Sequence, residues 1–404
     1  MTDEAAARAR WGVLANVVAM NVFATGMAWT YVVVIVPPIL SDLGLGLRDW
    51  GTLWSGLSMG ALLGALPAGG LGDRFGVRRV VALGALVMAA SLGLRAVAGS
   101  FTAVLAAMVL FGVTLTVVAA NLPKALGEWF PLSELGMANG VALGGNGAGQ
   151  GLAAYAAPLV LASIGGWRAL TFGLAIAVGA LALVWVGFVR DRAPASAPAG
   201  AFSLRELFAG LAAVLRIRDV WLLAGSYFFF LAGYLGVIAY LPTYLASVRG
   251  LAPEQAGGML SLVLASYVVG SLTLPAFSDR LGLRRAVYVP GILVAGSMVF
   301  AASVAVGAPL AAVMVVWGVA AGAIALVFAV PLELPAVGPA LAGSAVGVTL
   351  MAGFLGGFLS PQLGLALAER SPTAGFLFFA GCYGASALLF LLLPETGTAG
   401  RARE

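Results

Sequence analysis

The sequence predicts an all-α membrane protein with twelve transmembrane helices in two pseudo-symmetric halves of six. Three observations predict this class: the composition, the number of apolar runs, and a loop motif that occurs twice. Hydrophobic residues make up 62% of the 404 residues and charged residues only 9%, whereas a water-soluble domain carries roughly a quarter charged residues. Such a chain cannot cover a water-facing surface, so most of it is expected to lie in lipid.

The second observation is the number of apolar runs long enough to cross a bilayer, each of which needs about 20 residues. Twelve runs fit, and we number them spans 1 to 12: 12–36, 50–70, 79–99, 102–126, 137–160, 168–189, 220–245, 256–277, 286–305, 309–332, 343–367 and 374–393. The widest gap, 190–219, contains a Pro- and Ala-rich stretch and then a charged amphipathic stretch. This composition predicts a cytoplasmic linker with a surface helix, between an N-terminal half (1–189) and a C-terminal half (220–404).

The third observation is a loop motif that is present once in each half. The first copy runs from Gly69 to Arg79 and the second from Pro275 to Arg285. Their aspartates, at positions 73 and 279, lie 206 residues apart, and two glycine-rich stretches that begin at 136 and 343 lie 207 residues apart. Features that recur in the same order in two halves indicate a fold built by duplication.

The distribution of positive charge predicts the orientation. Of the 21 Lys and Arg residues, 16 fall on one set of loops and at the termini and five on the opposite set. Because positively charged loops remain in the cytoplasm, both termini are expected to be cytoplasmic, in the plasma (inner) membrane. The chain has no His and a single Cys, which excludes disulfides and His or Cys metal sites. We therefore expect no metal and no cofactor, and we interpret the basic charge as loop charge rather than as a nucleic-acid-binding surface.

Twelve spans, a basic central loop and the repeated motif resemble the major facilitator superfamily over essentially the whole chain. Members of that family join spans 2 and 3 by a Gly-x-x-x-Asp-Arg-x-Gly-x-Arg-Arg loop. The residues that match it in the two copies are Gly69, Asp73, Arg74, Gly76, Arg78, Arg79, Asp279, Arg280, Gly282, Arg284 and Arg285. The resemblance implies that this cluster latches the halves in an outward-facing state, with each aspartate pairing with arginines or a helix N-terminus. The second copy departs from the pattern at Pro275, where the family has glycine.

Two departures from the family bear on mechanism. Many proton-coupled members carry Arg-x-x-x-Gly in span 4, where this chain has Met108 before Gly112. The glycine run 144–149 is similar to span 5 of the nitrate and nitrite porters, which use arginines inside spans 2 and 8. Neither 52–70 nor 255–277 contains an arginine in this chain, so nitrate transport is not expected.

The resemblance places a substrate cavity between the halves, lined chiefly by spans 1, 4, 7 and 10 with help from spans 5, 8 and 11. Polar residues at that depth are costly unless they face a wet cavity or another helix. The candidate substrate-binding residues are Asn21, Thr25, Trp29, Asn121, Asn146, Gln150, Tyr227, Tyr234, Trp317 and Gln362. Interhelical hydrogen bonding and packing are the competing interpretation for each of them. We rank Asn146 and Gln150 first, because the small residues of span 5 allow a close approach at a packed seam between the halves.

Acidic residues fall at the termini, in loops or at span ends, whereas a proton relay needs a titratable group inside the membrane. The sequence therefore predicts a secondary transporter of a small polar organic solute, not an enzyme, which works by alternating access and in the simplest case as a facilitator. Three alternatives stay open: a proton-coupled symporter of a small organic monoanion, a drug or metabolite efflux carrier, and a non-transporting membrane sensor. The expected partners are the solute and the lipid bilayer, without nucleic acid, and the chain is expected to function as a monomer.

Overall fold

A computed structural model describes residues 3–190 and 210–397, and this part of the chain consists of helices joined by short loops. Ten of its helices are long and apolar enough to cross a membrane. Two more long helices, Leu47–Phe75 and Leu132–Ser163, lie at the positions of predicted spans 2 and 5. Helices therefore occupy all twelve predicted spans, and the chain is an integral, multi-pass membrane protein.

The spans follow one another in chain order, with a short helix, Val36–Leu43, after the first. In the first half the helices are Asp3–Met20, Leu47–Phe75, Val77–Val97, Phe101–Trp129, Leu132–Ser163 and Trp167–Phe188. In the second half they are Arg218–Ser247, Pro253–Leu281, Arg285–Ala302, Gly307–Ala321, Gly338–Arg370 and Pro372–Leu391. Most of the predicted linker and its surface helix fall on residues 191–209, outside the described ranges.

Spans 1 and 10 depart from regular α-helical geometry. Span 1 continues after Met20 as a π-helix over Asn21–Met27 and as a 3₁₀-helix over Tyr31–Val34. Span 10 continues as a 3₁₀-helix over Gly322–Phe328 before a last short turn, Val330–Glu333. Both geometries are uncommon inside long helices and occur frequently at functional sites. The sequence analysis did not predict them, because hydropathy reports preference for lipid and not the type of helix.

The chain divides into two compact units. Unit 1 comprises Met1–Gly46, Gly56–Phe202 and Ala252–Gly257, and unit 2 comprises Leu47–Ser55, Ser203–Leu251 and Gly258–Glu404. The beginning of span 2 therefore belongs to unit 2, and the beginning of span 8 belongs to unit 1. The halves predicted from the sequence, 1–189 and 220–404, instead group the beginning of span 2 with the first half and the beginning of span 8 with the second.

Two buried tryptophans fix the segment Leu47–Ser55 in unit 2. The indole of Trp50 donates to the carbonyl of Ala239 at 3.0 Å, and the indole of Trp54 donates to the carbonyl of Leu235 at 3.2 Å. Both acceptors lie on span 7, and both indoles are fully buried. Burial of two large rings with their N–H groups satisfied explains why this segment packs with span 7.

In unit 1, spans 2 and 4 make a close contact through two glycines. Gly112 of span 4 lies against the carbonyl oxygen of Leu57, and Gly64 of span 2 lies against that of Val113. A Cβ atom at either glycine would overlap the neighbouring carbonyl. Small residues that let two backbones approach are the usual way in which membrane helices gain packing energy.

Unit 2 repeats this contact between spans 8 and 10, residue by residue. Gly318 lies against the carbonyl of Val263, and Gly270 lies against that of Val319. Each of these four residues is 206 positions beyond its counterpart in unit 1 (112 and 318, 57 and 263, 64 and 270, 113 and 319). The offset is that of the two loop motifs, so the duplication that the sequence indicates extends to individual backbone contacts. We call the two contacts together the glycine seams.

Candidate functional site

A continuous series of side-chain hydrogen bonds joins spans 1 and 5 within unit 1. Gln150 donates to the amide oxygen of Asn146 at 2.7 Å, Asn146 donates to the hydroxyl of Thr25 at 2.7 Å, and Thr25 donates to the amide oxygen of Asn21 at 3.1 Å. The structure thus brings together four of the residues singled out in the sequence. We call Asn21, Thr25, Asn146 and Gln150 the polar path.

The polar path lies where the backbones of spans 1 and 5 approach most closely. Gly26 lies against the carbonyl of Asn146, and Gly149 lies against the carbonyl of Val22. The span 1 residues of this contact lie in its π-helical segment, and a π turn contains one more residue than an α turn, which rotates the side chains that follow. This local geometry allows Thr25 to contact Asn146 of span 5, and Asn21 joins the path through Thr25. The sequence analysis predicted a seam between the halves for Asn146 and Gln150, and the contacts described here lie within unit 1.

The polar path carries no charge and has hydrogen-bonding capacity left at one end. Asn21 and Thr25 are 8% and 4% exposed, whereas Asn146 and Gln150 are half-buried. Each amide supplies two N–H donors and a carbonyl acceptor. Within the described part of the chain, Gln150 uses one donor and its oxygen accepts no hydrogen bond. An uncharged or zwitterionic ligand group could therefore bind at Gln150 without displacing the rest of the path.

Unit 2 contains a cluster of aromatic side chains, which we call the aromatic cluster. Tyr227 and Tyr234 both stack on Phe230, with ring centroids 6.4 Å and 5.6 Å apart. Tyr234 also lies 6.5 Å from Trp317, whose indole donates to the hydroxyl of Tyr383 at 3.1 Å. The cluster thereby brings together three of the residues predicted from the sequence, Tyr227, Tyr234 and Trp317. Aromatic rings can hold a planar or a cationic group.

The hydrogen bonds and ring contacts that define the two groups do not include the other three candidates. Asn121 is fully buried and donates to the carbonyls of Ala68 and Val117, which makes it an interhelical link between spans 2 and 4. Gln362 donates to the carbonyl of Phe358 on its own helix. Trp29 is 9% exposed and lies in span 1 of unit 1. The proposal below does not use these three residues as ligand-binding groups.

The first loop motif is held by contacts that differ from those expected. Asp73 forms an ion pair with Lys124 of span 4, rather than with the loop arginines. Arg78 donates to the carbonyl of Val186, and its own carbonyl accepts the indole N–H of Trp185. These bonds join the start of span 3 to the end of span 6. The partner of Asp73 was missed because Lys124 lies 51 positions away and belongs to no loop motif.

The second loop motif is organised around Arg284, which contacts two carboxylates. Its guanidinium donates to Asp279 and, through Nε and Nη2, to Glu333 at the end of span 10. These hydrogen bonds, the one with Glu333 foremost, raise the pKa of the Arg284 guanidinium above its ordinary value. Glu395 accepts the backbone N–H groups of Arg284 and Arg285, where an anion is favoured at the start of a helix. The sequence analysis did not predict that Glu333 and Glu395 join this cluster.

The glycines of the two motifs form the turns, and some of the arginines remain at the surface. Gly76 and Gly282 have φ angles of +85° and +66°, a region that favours glycine. Gly69 lies within the helix of span 2. The exposed arginines of the motifs are Arg74, Arg79 and Arg280.

We expect Asp73→Asn to reduce transport strongly at near-normal expression, because it breaks the ion pair with Lys124. The pair is partly exposed and contributes about 1 kcal/mol or less to stability, so the loss should appear in transport rather than in folding. Asp279→Asn should have the smaller effect, since Arg284 keeps Glu333. Initial rates per folded protein measure both effects, and the double swap Asp73→Lys with Lys124→Asp should restore part of the rate. Wild-type rates in both single variants would show that the loops serve only topology.

Comparison with known proteins identifies the class to which this fold and these motifs belong. Residues 18–361 match the family model of the Major Facilitator Superfamily. The chain therefore belongs to this family, which confirms the prediction from the loop motifs and, with it, the expectation that the chain is not an enzyme.

Individual relatives are similar to this chain over part of their length. It is 28% identical to a probable nitrate/nitrite antiporter NarK1 of Thermus thermophilus, over 65% of this chain and 60% of that protein. It is 24% identical to a hexuronate transporter of Bacillus subtilis, over 60% of this chain and 58% of that protein. It is 26% identical to a tetracenomycin C resistance and export protein of Streptomyces glaucescens, over 70% and 61%. The match thus covers about three fifths of each relative.

Solved structures share the fold at lower sequence identity. A mutant of the nucleoside transporter NupG aligns with a TM-score of 0.77 at 18% identity, covering 95% of this chain and 99% of that one. A bacterial homologue of the human lysosomal transporter Spinster aligns with a TM-score of 0.75 at 15% identity, covering 95% and 94%. At these identities the similarity concerns the fold only.

Proposed function

We propose that this chain is a secondary transporter of a small polar organic solute that works by alternating access in the plasma membrane, with both termini in the cytoplasm. The observation that carries this proposal is the polar path. Four uncharged hydrogen-bonding side chains in apolar helices are costly unless they serve another helix or a ligand, and Gln150 at the end of the path keeps an unused acceptor. The π-helical segment beside it supports the same assignment.

The chemistry of the two units favours a neutral, zwitterionic or monocationic solute. The polar path offers amide and hydroxyl groups, and the aromatic cluster offers ring faces that attract a cation. The interior of spans 2 and 8 contains no arginine, at 52–70 and 255–277, and arginines are the groups that hold planar anions tightly. This inventory supports an uncharged or singly charged organic solute.

A second candidate is a carrier of a small monoanion. The names of the nitrate/nitrite and hexuronate relatives favour it, whereas the name of the tetracenomycin C exporter points to drug efflux. The relatives therefore support transport as the class of activity and differ on the solute. The experiment has to separate these possibilities by the charge of the solute.

The proposal is tested by counterflow in liposomes that contain the purified protein. A thermal-shift screen first selects solutes from a panel of neutral amino acids, nucleosides, hexuronates and nitrate, because a ligand at 100 times its Kd stabilises the folded state by about 2.7 kcal/mol. We expect saturable counterflow of an uncharged or zwitterionic solute. Counterflow confined to hexuronates or nitrate would favour the second candidate. Stabilisation by a neutral amino acid or a nucleoside that shows no counterflow would instead indicate a sensor.

We expect solute flux down its own gradient to change little when a pH gradient is imposed. Glu333, an acidic residue just past span 10, is engaged by Arg284. Coupling to one proton would add about 2.3 kcal/mol of driving force per 100 mV, which accumulation assays detect readily. Uptake against the solute gradient that is driven by pH, and abolished by a protonophore and by Glu333→Gln, would contradict the facilitator mechanism and make Glu333 the proton carrier.

A further inference from the structure

Arg95 is a buried arginine that forms no ion pair with a carboxylate in the part of the chain that the structure describes. It lies two residues before the end of span 3, at the end of unit 1 opposite the loop motif, and its side chain is among the largest that are fully buried. Nη1 donates to the hydroxyl of Tyr31 at 3.1 Å. Nε and Nη2 are buried and have no hydrogen-bond partner in the described part of the chain. A buried charge with unsatisfied donors is unfavourable unless something compensates it.

The two unsatisfied nitrogens form one edge of the guanidinium. Nε–H and the N–H of Nη2 point in the same direction, which is the geometry that holds the two oxygens of a planar oxyanion. Two other arginines of this chain use the same edge on a carboxylate: Arg284 with Glu333, and Arg168 with Asp42. At Arg95, the edge that binds acidic side chains elsewhere in the molecule therefore has no acceptor among residues 3–190 and 210–397.

The surroundings of Arg95 partly offset its charge, and within the described part of the chain they supply no acceptor for this edge. Because both nitrogens are buried, an anion reaches the edge only when the surrounding side chains move. The guanidinium carbon lies 5.1 Å from the ring centre of Phe111 and 5.9 Å from that of Tyr31, which is within the range of a cation–π contact. A further hydroxyl without a partner, that of Thr30, adjoins Tyr31 in sequence and is fully buried. Ring faces contact a guanidinium from above and below, whereas an oxyanion binds its edge.

We propose that Arg95 is the centre of an anion-binding site in unit 1 that takes a small planar monoanion of the carboxylate or nitrate type. The anion receives two parallel hydrogen bonds from Nε and Nη2, while Tyr31 fixes the guanidinium through Nη1. The site is separate from the polar path, which contains no arginine, and it does not depend on the proposed transport activity. Because the anion binds the folded chain, it stabilises that state by mass action.

The test is thermal unfolding of the full chain in detergent, with sodium formate or sodium nitrate replacing sodium chloride at constant ionic strength. We expect a saturable rise of the unfolding temperature in the wild type, because chloride offers a single acceptor atom and cannot form two parallel hydrogen bonds with the two nitrogens. Arg48→Gln is the matched control, since it removes the same charge at an exposed position and should keep the rise. Arg95→Gln should lose it. An equal rise in Arg95→Gln, or no saturable rise in the wild type, would overturn the proposal.

A second variant decides the question if Arg95→Gln does not fold. Arg95→Lys keeps the charge and lacks the two-nitrogen edge, so its half-saturating concentration of formate should rise by about tenfold or more. An unchanged concentration would overturn the two-bond geometry and the proposal with it. The rise should persist in Asn146→Leu, and its loss there would show that the anion binds at the polar path and not at Arg95.

Discussion

Replacing Asn146 by Leu is expected to weaken solute binding strongly and to reduce counterflow, while most of the protein still folds. The change removes the central member of the polar path, so that Thr25 loses a donor and Gln150 loses its acceptor. Each buried polar group left without a partner costs about 1–3 kcal/mol, and every 1.4 kcal/mol is tenfold in affinity. A solute held at the end of the path should therefore bind at least about tenfold more weakly. Solute-dependent thermal shift and counterflow measure the two effects.

The matched control is Asn139→Leu. Asn139 is the same residue type on the same span, it is also half-buried, and it donates only to the carbonyl of Leu135 on its own helix. Its replacement changes the polarity of span 5 equally without breaking the path, so binding should remain close to that of the wild type. Normal counterflow in Asn146→Leu would move the site away from the polar path, and the aromatic cluster of unit 2 would then be the place to look for it.

The second large effect is expected at the glycine seams, where Gly112→Val should prevent normal folding. Overpacking of a tight interior typically costs about 1–3 kcal/mol, and here the added atoms meet the backbone carbonyl of Leu57, which cannot move as a side chain does. Gly318→Val should have a similar effect, because Gly318 lies against the backbone carbonyl of Val263 just as Gly112 lies against that of Leu57. Monodispersity after detergent extraction and the thermal unfolding temperature report the loss.

Gly93→Ala is the control for these variants. Gly93 lies inside the helix of span 3, and a Cβ atom there meets nothing within 4 Å. Because alanine is a better helix former than glycine by about 0.5–1 kcal/mol, this variant should be as stable as the wild type or slightly more so. If Gly112→Val and Gly93→Ala unfold at the same temperature, the seam is not a determinant of stability.

The sequence predicted the fold well because membrane insertion is governed by quantities that can be read from single residues. Apolar runs and their lengths located all twelve helices, and the repeated loop indicated the duplication. The glycine seams were also within reach, since Gly64 and Gly270, like Gly112 and Gly318, are related by the 206-residue offset of the loop motifs. A systematic search for glycines at that offset would have found them.

The candidate site was predicted less completely because side-chain pairing depends on the relative rotation of neighbouring helices. The small residues of span 5 led us to rank Asn146 and Gln150 first, and the structure joins them to Thr25. The sequence could not show that Asn121 donates both amide hydrogens to backbone carbonyls. The same limit hid the free edge of Arg95, since whether a buried charge has a partner depends on residues distant in sequence.

The irregular segments of spans 1 and 10 have a consequence for the history of the two halves. By the 206-residue offset, span 1 corresponds to span 7 and span 4 to span 10, yet spans 7 and 4 are continuous α-helices, Arg218–Ser247 and Phe101–Trp129. Within the described residues, each half therefore contains one irregular helix, but at non-equivalent places. The two halves share the glycine seams, whereas the regularity of their backbones has diverged. The ancestral repeat is better reconstructed from the seams than from the helices that carry the candidate site.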